Sequence, residues 1–407
     1  MTDQSTLSTA PTFPTTRTPG CPFEPPAEFT DLRDREAITQ ASCPAGIDAW
    51  VVSRYEDVRT LLSAPGISSR KAPSTHVTPN ADLDEPIQPG NLLQLDGKEH
   101  ARLRRMLTGE FTVRRMEALR PYIQRVVDEH IDALLAGPRP VDFYEHFALP
   151  IPSLVICELL GVPYEDREFI HTRSAALMPV DGDQEVAYAH YVEIQEYMGR
   201  LLDGKLADPG DDLISRLIER SRESDDPITA AEMVELSTTL LIAGHETTAN
   251  MIALSTAVLA QHPDKLQALR DDPELAPSAA EEMLRYLSVV QFGLLRYATE
   301  DLELGGRTVK AGDWLVAALN AGNRDERVYD NANEIDLERK AKTHLAFGFG
   351  IHQCIGQQLA RIELQEVYAR LFRRVPTLRL AVSLDRIPFK DNTLVYGVHE
   401  LPVTWEG

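Results

Sequence analysis

The reading turns on Ala346–Arg361, "AFGFGIHQCIGQQLAR". It sets one cysteine, Cys354, among Phe347, His352 and three glycines, Gly348, Gly350 and Gly356, and then enters a pattern of helical spacing. Unpaired N–H groups and the dipole at a helix start favour an anion, so a sulfur placed there is biased toward thiolate. The glycines remove side chains and let backbone and sulfur approach something bulky, and Phe347 offers an aromatic face beside them.

What that sulfur serves depends on the rest of the chain. The 407 residues carry 41 Lys and Arg against 63 Asp and Glu, a net charge of −22, which opposes nucleic-acid binding. Three basic islands interrupt the acidity: "HARLRRML" from His100, "FTVRRMEALR" from Phe111 and "LERKAKTH" from Leu337. A locally positive face on an acidic body suits an acidic protein partner. The opening "MTDQSTLSTAPTFPTTRTPG" lacks the basic start and apolar middle of a signal peptide, and residues 1–25 read as a disordered arm. No run approaches the ~20 apolar residues of a membrane span. A soluble, cytoplasmic protein, without membrane or nucleic-acid partners and monomeric, is the expectation. Cys21, Cys43, Cys157 and Cys354 form no CxxC pair, which argues against a disulfide framework and a structural zinc site. Cys157, in "SLVICELLGV", reads as a small core residue.

Helical patterns dominate. "RRMEALRPYIQRVVDEHIDALLAG" repeats apolar residues at three- and four-residue spacing and stops at Gly137. "ITAAEMVELSTTLLIAGHETTANMIALSTAVLAQHP", between Pro227 and Pro263, predicts a long helix, apolar on several faces, that must cross the centre of a globule. "SAAEEMLRYLSVV" and "IGQQLARIELQEVYARLFRRV" add two more. Strand signals are short: "AWVVS", "GLLRYA", "DLELGGRTV", "DWLVAAL" and "TLRLAV". One mainly α domain over residues 26–407 with small peripheral β-sheets follows, against the two or three domains that length suggests.

Cys354 then has three readings: a buried inert cysteine, a nucleophile aided by His352, or an axial thiolate for haem iron. The spacing of Phe347, Gly350, Cys354 and Gly356, F-x-x-G-x-x-x-C-x-G, resembles the haem-binding loop of the cytochrome P-450 family, whose fold is a helix-rich triangular prism. The resemblance implies haem b with Cys354 as its metal ligand, and Phe347, Gly348 and Gly356 beside it.

"AGHETT", Ala243–Thr248, resembles the family's oxygen-activating segment in the middle of the long helix. Gly244 would leave room beside a flat cofactor. Thr247 would turn its hydroxyl onto the carbonyl of Ala243 and loosen the helix, and Glu246 would deliver protons through water. His245 is expected to be a packing residue. In "EEMLR" and "NEIDLERK", Glu282, Arg285 and Arg339 resemble the family's structural Glu–Arg–Arg group. His100 and Arg104 in "EHARLR", Arg296 in "GLLRYATED" and His352 resemble the cations that hold two haem propionates.

The resemblance runs from about Cys21 to the C-terminus and is nearest to actinomycete-type enzymes fed by small ferredoxins. It implies a monooxygenase that reduces O2 with NAD(P)H-derived electrons, delivered by ferredoxin reductase and ferredoxin, and hydroxylates or epoxidises a hydrophobic small molecule. The arginines after His100, those around Arg114, and Arg361 are the expected ferredoxin face. Leu92, Leu93, Met178, Leu240, Val290, Leu294 and Leu394 are the expected substrate contacts, which suit a steroid, terpenoid or polyketide. Arg70 and Lys71, expected in a flexible loop, read either as solvated or as partners for a substrate carboxylate or polar tail, with solvation preferred. Rival readings are nitric oxide reduction, peroxide-driven oxidation, or a ligand sensor on the same scaffold; Glu246 beside Thr247 argues against them.

Overall fold

A computed structural model describes residues 11–71, 75–84 and 86–406. The predicted long helix runs without interruption over Ala230–Ala260. It starts in a capping box, in which the Thr229 hydroxyl accepts from the Glu232 N–H while the Glu232 carboxylate accepts from the Thr229 N–H. Most of its second half is buried on every face, and the helices Pro150–Leu160, Gln184–Ala207, Ala276–Leu287 and Gln357–Arg374 pack along the long helix. The helix Val113–Ala136 stops at Gly137 as its spacing predicts, and lies against Gln357–Arg374.

The strands gather at the periphery. Ile38–Ser42, Asp48–Val52, Trp314–Ala317, Leu294–Ala298 and Ile67–Ser68 form one sheet in that order. Asp48–Val52 pairs parallel to Trp314–Ala317 (Trp50 opposite Leu315), and the other neighbours are antiparallel. The Gly305-Gly306 turn, both residues at positive φ, closes the Leu302–Leu304/Arg307–Val309 hairpin. Val141–Asp142, Pro402–Thr404 and Arg379–Leu380 make a third small sheet. Among the described residues no helix is long and apolar enough to cross a membrane.

The expected disordered arm is a correction from Pro11 onward; residues 1–10 lie outside the described residues. The Phe13 N–H donates to the Ser42 carbonyl at 2.8 Å, and the Phe13 ring is buried edge-on against Phe29 and His76. Arg17 lies over the Tyr396 ring at 3.6 Å. One aromatic and one guanidinium anchor a segment whose Thr- and Pro-rich composition conceals them. Lys71 is buried too, unlike the solvated loop residue expected.

Candidate functional site

The loop before Gln357–Arg374 is tied back on itself. The Cys354 N–H donates to the Phe347 carbonyl at 2.9 Å, and the Gln353 N–H to that of Gly350 at 3.1 Å. Gly350, at φ +75°, admits no other residue: a Cβ there would lie 2.2 Å from the Leu62 carbonyl oxygen. The N-cap residue, Gly356, has no side chain with which to cap the helix. The Cys354 sulfur lies close to the backbone N–H groups of Gly356 and Gln357 at the start of that helix. Burial pushes the thiol up, while those N–H groups and the charges of Arg104 and Arg361 pull it back. Cys354 is nevertheless accessible, although neighbouring atoms crowd it closely enough to raise its thiol.

The long helix carries another accessible stretch among buried residues. Ala243 is exposed and Thr239 and Thr247 half-buried, on a helix whose flanking turns are buried. Residues four apart share one face, so these three form a single stripe. The Thr247 hydroxyl donates to the Ala243 carbonyl at 2.9 Å, the bond its spacing predicts, and the helix continues through it. Gly244 is a correction. A Cβ there would meet Ile156 at 2.7 Å, so the missing side chain admits the Pro150–Leu160 helix rather than a cofactor.

Glu246, one residue from Thr247, turns elsewhere. Its Oε2 accepts from Asn250 at 3.0 Å and Tyr144 at 3.3 Å, and lies 3.4 Å from the Lys390 ammonium. Its Oε1 lies 3.5 Å from Nδ1 of His171. Burial would raise this carboxyl, but His171, Lys390 and His245 hold it well below the usual carboxylate range. Sequence gave no sign of Tyr144, His171 or Lys390, since each comes from a distant segment; Asn250, four residues on, shares the helix face and was available to spacing.

The four expected cationic donors converge. The His100 and His352 rings are 4.2 Å apart. Arg104 donates to the Gln353 carbonyl, next to Cys354. Arg296 is buried, bonded to the Leu295 carbonyl at 2.8 Å and in no ion pair among the described residues; burial lowers it to about 10. Asp96 is the carboxylate that meets this group among the described residues, 3.3 Å from Nε2 of His352. Burial, then His352 and Arg104, lower His100 to about 4, and its buried Nε2 has no hydrogen-bond partner. This surplus of donors over acceptors fits a ligand that brings its own carboxylates.

Glu282 accepts from Arg285 through both oxygens at 2.8 Å and from Arg339 at 3.2 Å, fully buried, so the expected trio is assembled. Arg361 is a correction: it is bound to Glu281 and covers the Phe347 ring at 4.6 Å instead of facing a partner. His344, which spacing did not single out, bonds the same Glu281 at 3.1 Å.

Of the expected substrate contacts, Met178 and Leu394 are brought together, the Leu394 N–H donating to the Met178 carbonyl at 2.8 Å. Val290 is bridged to Val395, and Leu240 is buried at one edge of the exposed stripe. Leu294 is half-buried beside Gly348, 3.7 Å from where its Cβ would stand. Leu92 and Leu93 diverge, the first buried in the core and the second 44% exposed.

A family model described as cytochrome P450 matches residues 188–403. The chain is 45% identical to cytochrome P450-SU2 of Streptomyces griseolus, over 97% of each chain. It is 44% identical to pentalenic acid synthase of Streptomyces avermitilis over the full length of both. The crystal structure of CYP105P1 in complex with filipin I superposes with a TM-score of 0.92 at 45% identity, covering 98% of this chain and 99% of that one. An accessible cysteine at a helix start, with His352 and Arg104 beside it, is thus found in a chain similar to these enzymes over nearly its whole length. The chain belongs to the cytochrome P450 family and is a haem-thiolate monooxygenase.

Proposed function

We propose that Cys354 is the haem ligand and that the enzyme places one atom of O2 into a hydrophobic secondary metabolite, with electrons from a ferredoxin. The observation that carries this is Cys354 itself, accessible at the start of the helix Gln357–Arg374, where the Gly356 and Gln357 N–H groups lower its thiol. Thiolate-bound haem supplies reductive activation of dioxygen and favours O–O cleavage.

The chain's residues supply position and protons. His100, Arg104, Arg296 and His352 bind the propionates, which supply the acceptors that this donor set lacks. Ala243 and Thr247 line the oxygen side, with the Thr247 hydroxyl held by the Ala243 carbonyl. Glu246 carries protons at Oε1, which no hydrogen-bond donor fills among the described residues. Half-exposed His171 beside it connects that oxygen to solvent.

The docking face is smaller than spacing suggested. Arg102 pairs with Glu232 and Arg115 with Glu110, whereas Arg105 and Arg114 are exposed and in no ion pair among the described residues. Val113, next to Arg114, and Ile351, in the cysteine loop, are exposed apolar residues. This combination suits an acidic ferredoxin.

Met178, Leu240, Val290, Leu294 and Leu394 supply apolar contacts for a substrate of steroid, terpenoid or polyketide type. One relative is named pentalenic acid synthase and another is solved with filipin I, which supports that class. The test is reconstitution with ferredoxin, its reductase, NADPH and 18O2 over a panel of such compounds. One 18O atom in the product is expected; label arriving only from water, or NADPH oxidised with no product from any compound, would refute the reading.

A further inference from the structure

The cluster round Glu246 holds more polar atoms than its own bonds use. Nε2 of His245 is a buried atom with no hydrogen-bond partner among the described residues, and Nδ1 of His171 and Oε1 of Glu246, buried as well, have only each other, as an ion pair at 3.5 Å. One ligand atom from each of these residues lies within 4.8 Å of the other two. The His245 and Glu246 side chains are almost fully buried, where an unmade hydrogen bond is costly.

Each donor is already aimed. Nδ1 of His245 lies 2.9 Å from the Leu241 carbonyl, which only accepts, so the proton is on Nδ1 and the lone pair on Nε2. Asn250, Tyr144 and Lys390 occupy Oε2 of Glu246 and leave Oε1 toward the imidazoles. Such outer partners fix the orientation of metal-binding His and carboxylate side chains. The two imidazoles meet edge-on at 72°, with centroids 6.3 Å apart. A cavity lined by His171, His245, Cys157 and Leu241 adjoins them, and the half-exposed His171 gives an ion a way in.

We propose that His171, His245 and Glu246 form a binding site for a divalent transition-metal ion of zinc type. Two imidazole nitrogens and one carboxylate oxygen suit zinc rather than calcium or magnesium, which prefer all-oxygen shells. Tetrahedral zinc with bonds of 2.0–2.1 Å needs ligand atoms about 3.3 Å apart, near the 3.5 Å between His171 and Glu246. A modest turn of the half-exposed His171 closes the rest. The fourth position opens on the cavity and takes water. Lys390 on the far oxygen of the same carboxylate tempers the affinity.

An ion on Oε1 removes Glu246 from proton transfer, so zinc inhibits turnover; this consequence, unlike the site, rests on the proposed function. The test uses the haem-loaded protein, freed of adventitious metal by chelator and titrated with Zn2+ against a chromophoric chelator. One equivalent is expected to bind, and His171→Ala to weaken it by more than about tenfold, the least that loss of even an outer partner costs. Zinc-edge X-ray absorption should show two nitrogens and one carboxylate oxygen at about 2.0–2.1 Å. Absence of stoichiometric binding, binding unchanged in His171→Ala, or an all-oxygen shell would overturn the site. Stoichiometric binding without inhibition would keep the site and count against Glu246 as the proton carrier.

Discussion

Arg361 and Glu281 are joined by two hydrogen bonds, 2.6 Å from Nε to Oε1 and 3.2 Å from Nη2 to Oε2. The pair fastens the helix that follows Cys354 to the helix Ala276–Leu287, while the same guanidinium covers Phe347. Arg361 therefore positions the cysteine loop. Breaking one side of a pair this buried is expected to cost about 3–5 kcal/mol. Arg361→Ala should lower the melting temperature and loosen haem retention; a variant that melts like the wild type would show the pair to be dispensable.

Thr247→Ala keeps the Cys354 loop intact and so should keep the carbonyl spectrum. Product formation should fall by about 10²-fold, the lower end of what a positioned proton-transfer group contributes, with the electrons appearing as peroxide. Full coupling of NADPH to product would remove Thr247 from the reaction.

Gly244→Ala separates two reasons for that glycine. A Cβ 2.7 Å from Ile156 demands a shift, and overpacking of this kind costs about 1–3 kcal/mol against a gain of about 1 kcal/mol in helix propensity. Reduced thermal stability with an unchanged haem spectrum is expected, and Ile156→Val should recover part of the loss. Loss of haem without loss of stability would favour the cofactor instead.

Ferredoxin-driven reduction should slow steeply with added salt, since charges more than about 10 Å apart are screened at 0.1 M. Arg105→Glu combined with Arg114→Glu should slow it by at least about tenfold at low salt and flatten that dependence. Stopped-flow rates that ignore both salt and charge reversal would place the docking face elsewhere.

Acid sensitivity should arise partly at His76, which is fully buried with Nε2 3.0 Å from the Phe292 carbonyl. Burial lowers it from 6.5 to about 3, so the unfolded chain binds a proton that the native protein refuses. The stability it contributes is complete above pH 6.5 and lost progressively toward pH 3. Between pH 7 and 5 the loss is about 2 kcal/mol, at ~1.36 kcal/mol per unit below the unfolded value. Denaturant midpoints across that range should flatten in His76→Gln; an unchanged slope would exclude this group.

Much of the fold was legible because its signals are local. Pro227 and Pro263 bracket the long helix, Gly137 ends another, and the Gly305-Gly306 turn marks its hairpin. The contiguous cysteine loop, and the three-residue spacing of Glu282 and Arg285, were legible for the same reason. What escaped depends on distant segments meeting. Lys390, Tyr144 and His171 reach Glu246 from three separate parts of the chain, and no periodicity connects them. Arg361 looks like a surface cation until Glu281 is placed beside it. Gly244 looks like room for a cofactor until Ile156 fills the space. Leu92 and Leu93 are alike in sequence, and only the packing separates them.

The central claim is that Cys354 is the iron ligand, and the ferrous carbonyl spectrum reads the ligand directly. Protein purified with haem, reduced under carbon monoxide, should absorb well to the red of a histidine-ligated carbonyl, and Cys354→Ser should lose that band. A histidine-like spectrum in the wild type, or a thiolate band that survives in Cys354→Ser, would contradict the account.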